Sequence, residues 1–152
     1  IIVGNEEKKD IVSIIKEYIK RKNKELSAHI SEIGDIKTYN NKDILEKGIN
    51  VRESVKIEDG CNNFCSYCII PYVRGRVRSR NIDDIENEVR NLVKSNVGEV
   101  ILVGIEIASY GKDLNEDLSL IDVIERVNKI EGLKRIRLRI NRTTSFNWWN
   151  DY

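Results

Sequence analysis

From residue 51 to residue 140 the sequence alternates between strand and helix patterns, and no other feature constrains the fold as strongly. Residues 51–58 read as a strand. Asn81 then caps a helix that runs to about residue 95. Ile82, Ile85, Val89, Leu92 and Val93 share one face of it, and Asp83, Asp84 and Glu86 in its first turn suit the positive end of the helix dipole. Gly98 breaks the pattern. Residues 99–105 carry the run Val-Ile-Leu-Val, the continuous apolar type found in parallel sheets. A glycine-bearing loop follows at 109–113. A second helix is predicted over 118–130 on Ile121, Ile124, Val127 and Ile130, with Gly132 just past its end. Residues 133–140 alternate as a third strand. Strand, helix, strand, helix, strand with short loops predicts an α/β fold with a parallel sheet and right-handed crossovers. In such folds the chemistry sits at the C-terminal ends of the strands.

Upstream the pattern differs. Residues 1–3 read as a strand stub. Asn5 is placed as the cap of a helix over about 6–22, with Ile11, Ile14, Ile15, Tyr18 and Ile19 at three- and four-residue spacing. Its lysine-rich end reads as a solvated helix terminus. Residues 26–50 are polar with glycine and asparagine breaks, as in a linker, and His29 within them is assigned no role. Residues 141–152 have neither helical nor strand periodicity and carry two tryptophans, a divergent tail. With no methionine anywhere, the chain reads as a fragment. The composition, 40% hydrophobic and 34% charged with a formal net charge of +1, is that of a soluble globular protein. No apolar run approaches a membrane span, so a cytoplasmic location is the default expectation. The near-neutral total leaves any nucleic-acid surface to local clustering.

The three cysteines of the chain, Cys61, Cys65 and Cys68, all lie in one loop after the first strand, spaced C-x3-C-x2-C. Three thiolates on one loop fill three corners of a 4Fe–4S cubane and leave one iron open to bind a small molecule. A structural zinc site wants four ligands, usually as two separated pairs, and the single histidine lies far upstream. A disulfide leaves an odd cysteine and requires an oxidising compartment. Inert buried thiols at this tight, polar spacing are the remaining alternative. The cysteine loop and the 104–111 segment both fall where the α/β pattern places chemistry.

This spacing, with the aromatic Tyr67 just before the last cysteine, resembles the radical S-adenosylmethionine (SAM) signature. The stretch 56–80, from Lys-Ile-Glu-Asp-Gly-Cys through Ile-Ile-Pro-Tyr to Arg-Gly-Arg-Val-Arg-Ser-Arg, resembles the radical SAM methylthiotransferases. Those enzymes replace a C–H bond with C–S–CH3 on tRNA or on a ribosomal protein. Ile-Ile-Pro-Tyr at 69–72 and Leu-Val-Gly-Ile-Glu-Ile-Ala-Ser-Tyr-Gly at 102–111 are most similar to the branch acting on threonylcarbamoyladenosine next to the anticodon. The alternatives are isopentenyladenosine in tRNA, a ribosomal protein, or, in a different class, a non-catalytic zinc-binding nucleic-acid module.

The resemblance implies the first half of a radical SAM (β/α) barrel over 51–140, preceded at 1–25 by the end of an α/β methylthiotransferase N-terminal domain. It implies that Cys61, Cys65 and Cys68 hold a 4Fe–4S cluster whose open iron takes the amino and carboxylate groups of SAM. An external reductant then drives cleavage of SAM to methionine and a 5′-deoxyadenosyl radical. The family carries a second 4Fe–4S cluster on three further cysteines, which this chain lacks; activity of this chain by itself is therefore doubtful. The oligomeric state is left open. Tyr67 is expected against the adenine, or packed in the barrel mouth. Gly104 and Glu106, at the end of the second strand, are expected near the methionine amino group, with a loop-facing carboxylate as the alternative for Glu106. Arg74, Arg76, Arg78 and Arg80 suit contacts to tRNA phosphates, or local pairing with Asp83, Asp84 and Glu86.

Overall fold

The computed structural model describes residues 1–5, 7–21, 25–31, 39 and 51–139. The chain divides into two compact units, Ile1–Ile36 and Lys37–Tyr152. The rest of the 26–50 stretch, the C-terminal residue of the third expected strand and the tail with its tryptophans lie outside the described residues.

In the first unit β1 (Ile2–Val3) pairs in parallel with β2 (Ala28–His29). A 3-10 turn at Glu7–Asp10 leads into α1 (Ile11–Lys20). The helix starts later than Asn5 suggests: Asp10 occupies the cap position, and the Asn5 side chain instead accepts a hydrogen bond from Lys8 Nζ at 3.2 Å. Glu7 accepts from the backbone N–H of Ser31 at 2.8 Å, which ties the turn to the segment after β2. Ala28 and His29 fall in the stretch read as a linker. A two-residue pairing made only of backbone hydrogen bonds leaves no period in the sequence, so nothing there could announce it.

The second unit holds a three-stranded parallel sheet, ordered β3 (Arg52–Lys56), β6 (Glu99–Val103), β7 (Arg135–Leu138). The three strands are those expected from the sequence. Two connections carry α3 (Ile82–Lys94) and α4 (Leu120–Asn128). Asn81 caps α3 as expected, accepting from the Asp83 N–H at 2.8 Å. The core gathers Val55 from β3, Val100 and Leu102 from β6, Ile85 and Val89 from α3, and Val123 and Val127 from α4, all fully buried. Ile101 and Val103, on the other face of β6, are half-buried. Arg126 of α4 clips the two helices together, donating to Asp83 and Glu86 of α3 at 2.5 Å each. No helix among the described residues is long and apolar enough to cross a membrane.

Of the residues expected on the inward face of α4, Val127 is buried in the core, as is Ile130 just past the helix, and Ile124 packs against it; Ile121 is instead 57% exposed, and Leu120 and Val123 complete the buried face. Ser119 and Asp122 form a capping box at its start, the Ser119 N–H and Oγ–H both donating to Asp122 Oδ2, at 2.7 and 2.6 Å. Three further short elements had no signal of their own in the sequence. β4 (Glu58–Asp59) pairs antiparallel with β5 (Arg78–Ser79), and α2 (Ile70–Arg74) is a short helix inside the loop these strands close.

Candidate metal and cofactor site

The β4–β5 clasp makes the cysteine loop a closed structure rather than an open connection. Residues 60–77 leave and return through the same gate, with Glu58 opposite Ser79 and Asp59 opposite Arg78. Inside the gate, the Cys61 N–H donates to the Gly75 carbonyl at 3.1 Å, and the Val77 N–H donates to Asn62 Oδ1 at 3.2 Å. Gly60 has φ +88, and a Cβ there would stand 1.9 Å from the Arg76 carbonyl oxygen. Only glycine lets the two sides of the gate approach this closely. Phe64 also takes a left-handed backbone conformation, with φ 45. Its ring meets Tyr72 edge-on at 5.5 Å, and the Arg76 guanidinium lies 4.3 Å from its centroid. Cys65 and Cys68 are joined by a tight turn, the Cys68 N–H donating to the Cys65 carbonyl at 2.9 Å.

None of the three cysteines is in a disulfide, and all three line one cavity of about 270 Å³. Cys61 is buried; Cys65 and Cys68 are half-buried. Asn63, Phe64, Tyr67, Ile70 and Pro71 complete the wall on the loop side, and Ile105 and Glu106, just past β6, supply the other. Asn63 Nδ2 donates to Glu106 Oε2 at 3.2 Å across the opening. Three cysteines of one loop lining a shared space fit the donor set of a 4Fe–4S cubane, which takes one thiolate on each of three irons.

The expected site residues separate when placed in the structure. Tyr67 lines the cavity and is 80% exposed. Glu106 lines the cavity and is buried. Gly104 lies one residue outside the wall, and its role is different. A Cβ at position 104 would stand 2.6 Å from Glu58 Oε2 and 2.8 Å from Ile107 Cγ2, so the missing side chain makes room for Glu58.

The four arginines do not form one surface, which corrects the expected phosphate-binding row. Arg78 and Arg80 are buried. Arg78 donates to the Arg74 and Arg76 carbonyls at 2.8 and 3.2 Å and lies 3.7 Å from Asp59 Oδ2. Arg80 is paired with Glu88. Alternation alone could not show this, because the partners are Asp59 and Glu88 rather than the nearby Asp83 and Glu86, which Arg126 occupies. Arg74 sits at the edge of the Asp59 cluster, 3.7 Å from the carboxylate, and Arg76 is exposed. Lys56 completes the cluster with an Asp59 contact of 2.7 Å.

Sequence reasoning missed Glu58. It is fully buried, and its Oε2 accepts the Glu106 N–H at 2.8 Å. Burial pushes its carboxyl up to about 7, against the pull of the Glu106 and Ile105 backbone N–H groups. Its neighbours Val55 and Ile57 were the only clue, since a position at the end of a buried strand has the same surroundings whatever residue fills it.

The chain belongs to the radical SAM superfamily, whose family model matches residues 55–147. Membership implies a 4Fe–4S cluster and SAM as its cofactors. Within that superfamily its likeness is to methylthiotransferases. A protein of Clostridium botulinum (strain Eklund 17B / Type B), named tRNA-2-methylthio-N(6)-dimethylallyladenosine synthase, is 48% identical over 93 residues, 61% of this chain and 20% of the relative. Proteins of the same name from Lachnoclostridium phytofermentans and Clostridium beijerinckii are 52% and 45% identical, over 60% and 80% of this chain. The matched stretch spans only 20% and 27% of those two relatives.

Proposed function

We propose that this chain is the cluster- and SAM-binding portion of a tRNA methylthiotransferase. Cys61, Cys65 and Cys68 would each hold one iron of a 4Fe–4S cluster. The observation that carries the reading is the cavity itself: three cysteines of one loop and the turn after β6 line one space of about 270 Å³. When bound, the cluster supplies the electron that cleaves the sulfonium of SAM. The residues of the chain do the rest of the local work. The gate pinned at Gly60 and Cys61 fixes the spacing of the thiols. Ile105 and Glu106 offer backbone and a carboxylate to the methionine end of SAM, and Tyr67 offers a ring face to its adenine. Phe64, Ile70 and Pro71 keep the wall apolar. The sheet with its two helices would be the first half of a (β/α) barrel over 51–140, and 1–25 the end of a preceding α/β domain joined by the 26–50 stretch.

The substrate reading follows the relatives. Their name specifies N(6)-dimethylallyladenosine in tRNA, so the isopentenyl-type nucleoside takes precedence over the threonylcarbamoyl one suggested by the 69–72 and 102–111 motifs. Of the arginines, we assign phosphate contacts to Arg74 and Arg76, which are half-buried and exposed respectively, whereas Arg78 and Arg80 are buried. Nucleoside analysis of tRNA from cells lacking the gene decides between these substrates. The proposal expects loss of the 2-methylthio-dimethylallyl nucleoside with the threonylcarbamoyl nucleosides unchanged. Loss of the methylthio-threonylcarbamoyl nucleoside instead, or no change in either, overturns it.

A further inference from the structure

Glu58 is a poor choice for a residue that only fills space. It opens β4, has no solvent exposure, and its Oε1 is buried with no hydrogen-bond partner among the described residues. A buried carboxyl oxygen left unpaired is a net cost that an apolar side chain of the same length would avoid. The other oxygen is committed. Oε2 accepts the Glu106 N–H at 2.8 Å, and the Ile105 N–H also acts on the carboxyl. Ile105 and Glu106 are the two residues that the end of β6 contributes to the thiol cavity. Gly104, just before them, has no room for a Cβ because Glu58 Oε2 would lie 2.6 Å from it. The carboxyl and the turn are thus shaped to each other, and the turn is the wall facing the cysteine loop.

We propose that Glu58 is a positioning residue: its buried carboxyl holds the backbone of residues 104–106 in the form that receives SAM. The proposal rests on the reading of the thiol cavity as the SAM site. Glu58 itself touches neither the cavity nor the cofactor. It acts through the Ile105 and Glu106 amides. The titratable and charged groups around it are Lys56 and Asp59 on its own segment, Glu106 on the turn, and Tyr39, with Arg80 and Glu88 beyond. Among the described residues no cation is a hydrogen-bond partner of its oxygens, and burial pushes the carboxyl up to about 7.

Two variants separate positioning from packing. Glu58→Gln keeps an oxygen to accept both amides but cannot ionise; Glu58→Leu keeps the shape and loses the acceptor. In 15N-labelled chain without iron, the amide resonances of Ile105 and Glu106 should move together with one midpoint near pH 7, and stay fixed in Glu58→Gln. After anaerobic iron loading, titration with SAM should give a dissociation constant about tenfold weaker for Glu58→Leu at unchanged iron content, the effect of about one lost hydrogen bond at the wall. Glu58→Gln should return to within about twofold of the unsubstituted chain. Amide titration that persists in Glu58→Gln, or SAM binding by Glu58→Leu equal to that of the unsubstituted chain, overturns the proposal. If Glu58→Leu does not fold, the amide titration with Glu58→Gln still decides it. If the unsubstituted chain loads iron but binds no SAM, the cofactor-site reading fails, while the amide titration independently reports whether Glu58 holds the turn.

Discussion

Replacing Gly60 by alanine should damage the cysteine loop more than any other single methyl group. Gly60 sits at φ +88, a region that costs an L-residue about 1–2 kcal/mol. The added Cβ would stand 1.9 Å from the Arg76 carbonyl oxygen, 2.6 Å from its carbon and 2.9 Å from the Gly75 oxygen. All three are backbone atoms, so no side chain can swing aside. To reach a tolerable contact the 75–76 strand of the gate must retreat by about 1 Å, and the Cys61–Gly75 hydrogen bond and the Val77–Asn62 hydrogen bond stand directly in that path. Weakening them adds about 1 kcal/mol each, for a total of about 3–4 kcal/mol. For a unit of this size that is a fall in Tm of at least about 8 °C. The assay is thermal unfolding by circular dichroism, with iron loading measured in parallel. Gly98→Ala is the control. Its Cβ would meet only Lys134 side-chain carbons at 3.6 and 3.9 Å, and a glycine-to-alanine change there should be neutral or stabilising by up to about 1 kcal/mol. A Gly60→Ala chain that melts within about 2 °C of the unsubstituted one, and loads iron equally, would refute the argument that the gate sets the loop.

Other expectations follow from the same geometry. Arg80→Ala strands Glu88 and should lower stability by about 3–5 kcal/mol in urea unfolding, whereas exposed Arg76→Ala should change it by no more than about 1 kcal/mol. The carboxyl of Glu58 rises from its ordinary 4.5 to about 7 on folding. The folded state therefore holds its proton more tightly, and this contribution is present below about pH 4.5 and lost as pH rises through 7. Relative to the parent, Glu58→Gln should then gain up to about 3 kcal/mol between pH 5 and 8, read from denaturant midpoints; a flat difference contradicts it.

The parts of the structure that the sequence announces are those fixed by local chemistry. Asn81 names the start of α3 because a cap is a contact with the next few residues. The apolar run in β6 and the C-x3-C-x2-C spacing are legible for the same reason. The errors arise where distant residues decide. Arg78 and Arg80 look like a basic surface until Asp59 and Glu88 are brought to them. The two-residue clasp of β4 with β5 is too short to carry a period, yet it closes the loop that holds every cysteine. Glu58 is the clearest case: its importance comes from the Gly104–Ile105–Glu106 backbone, 46 to 48 positions further along the chain.

The central claim, that the three thiols jointly hold one cubane cluster, is tested most directly by counting iron and sulfide after anaerobic reconstitution. The unsubstituted chain should be brown, absorb broadly near ~400 nm, and carry about four irons and four sulfides. Cys65→Ala should lose this loading while keeping its fold. A colourless protein that takes up one zinc, or a Cys65→Ala chain that retains about four irons, would contradict it.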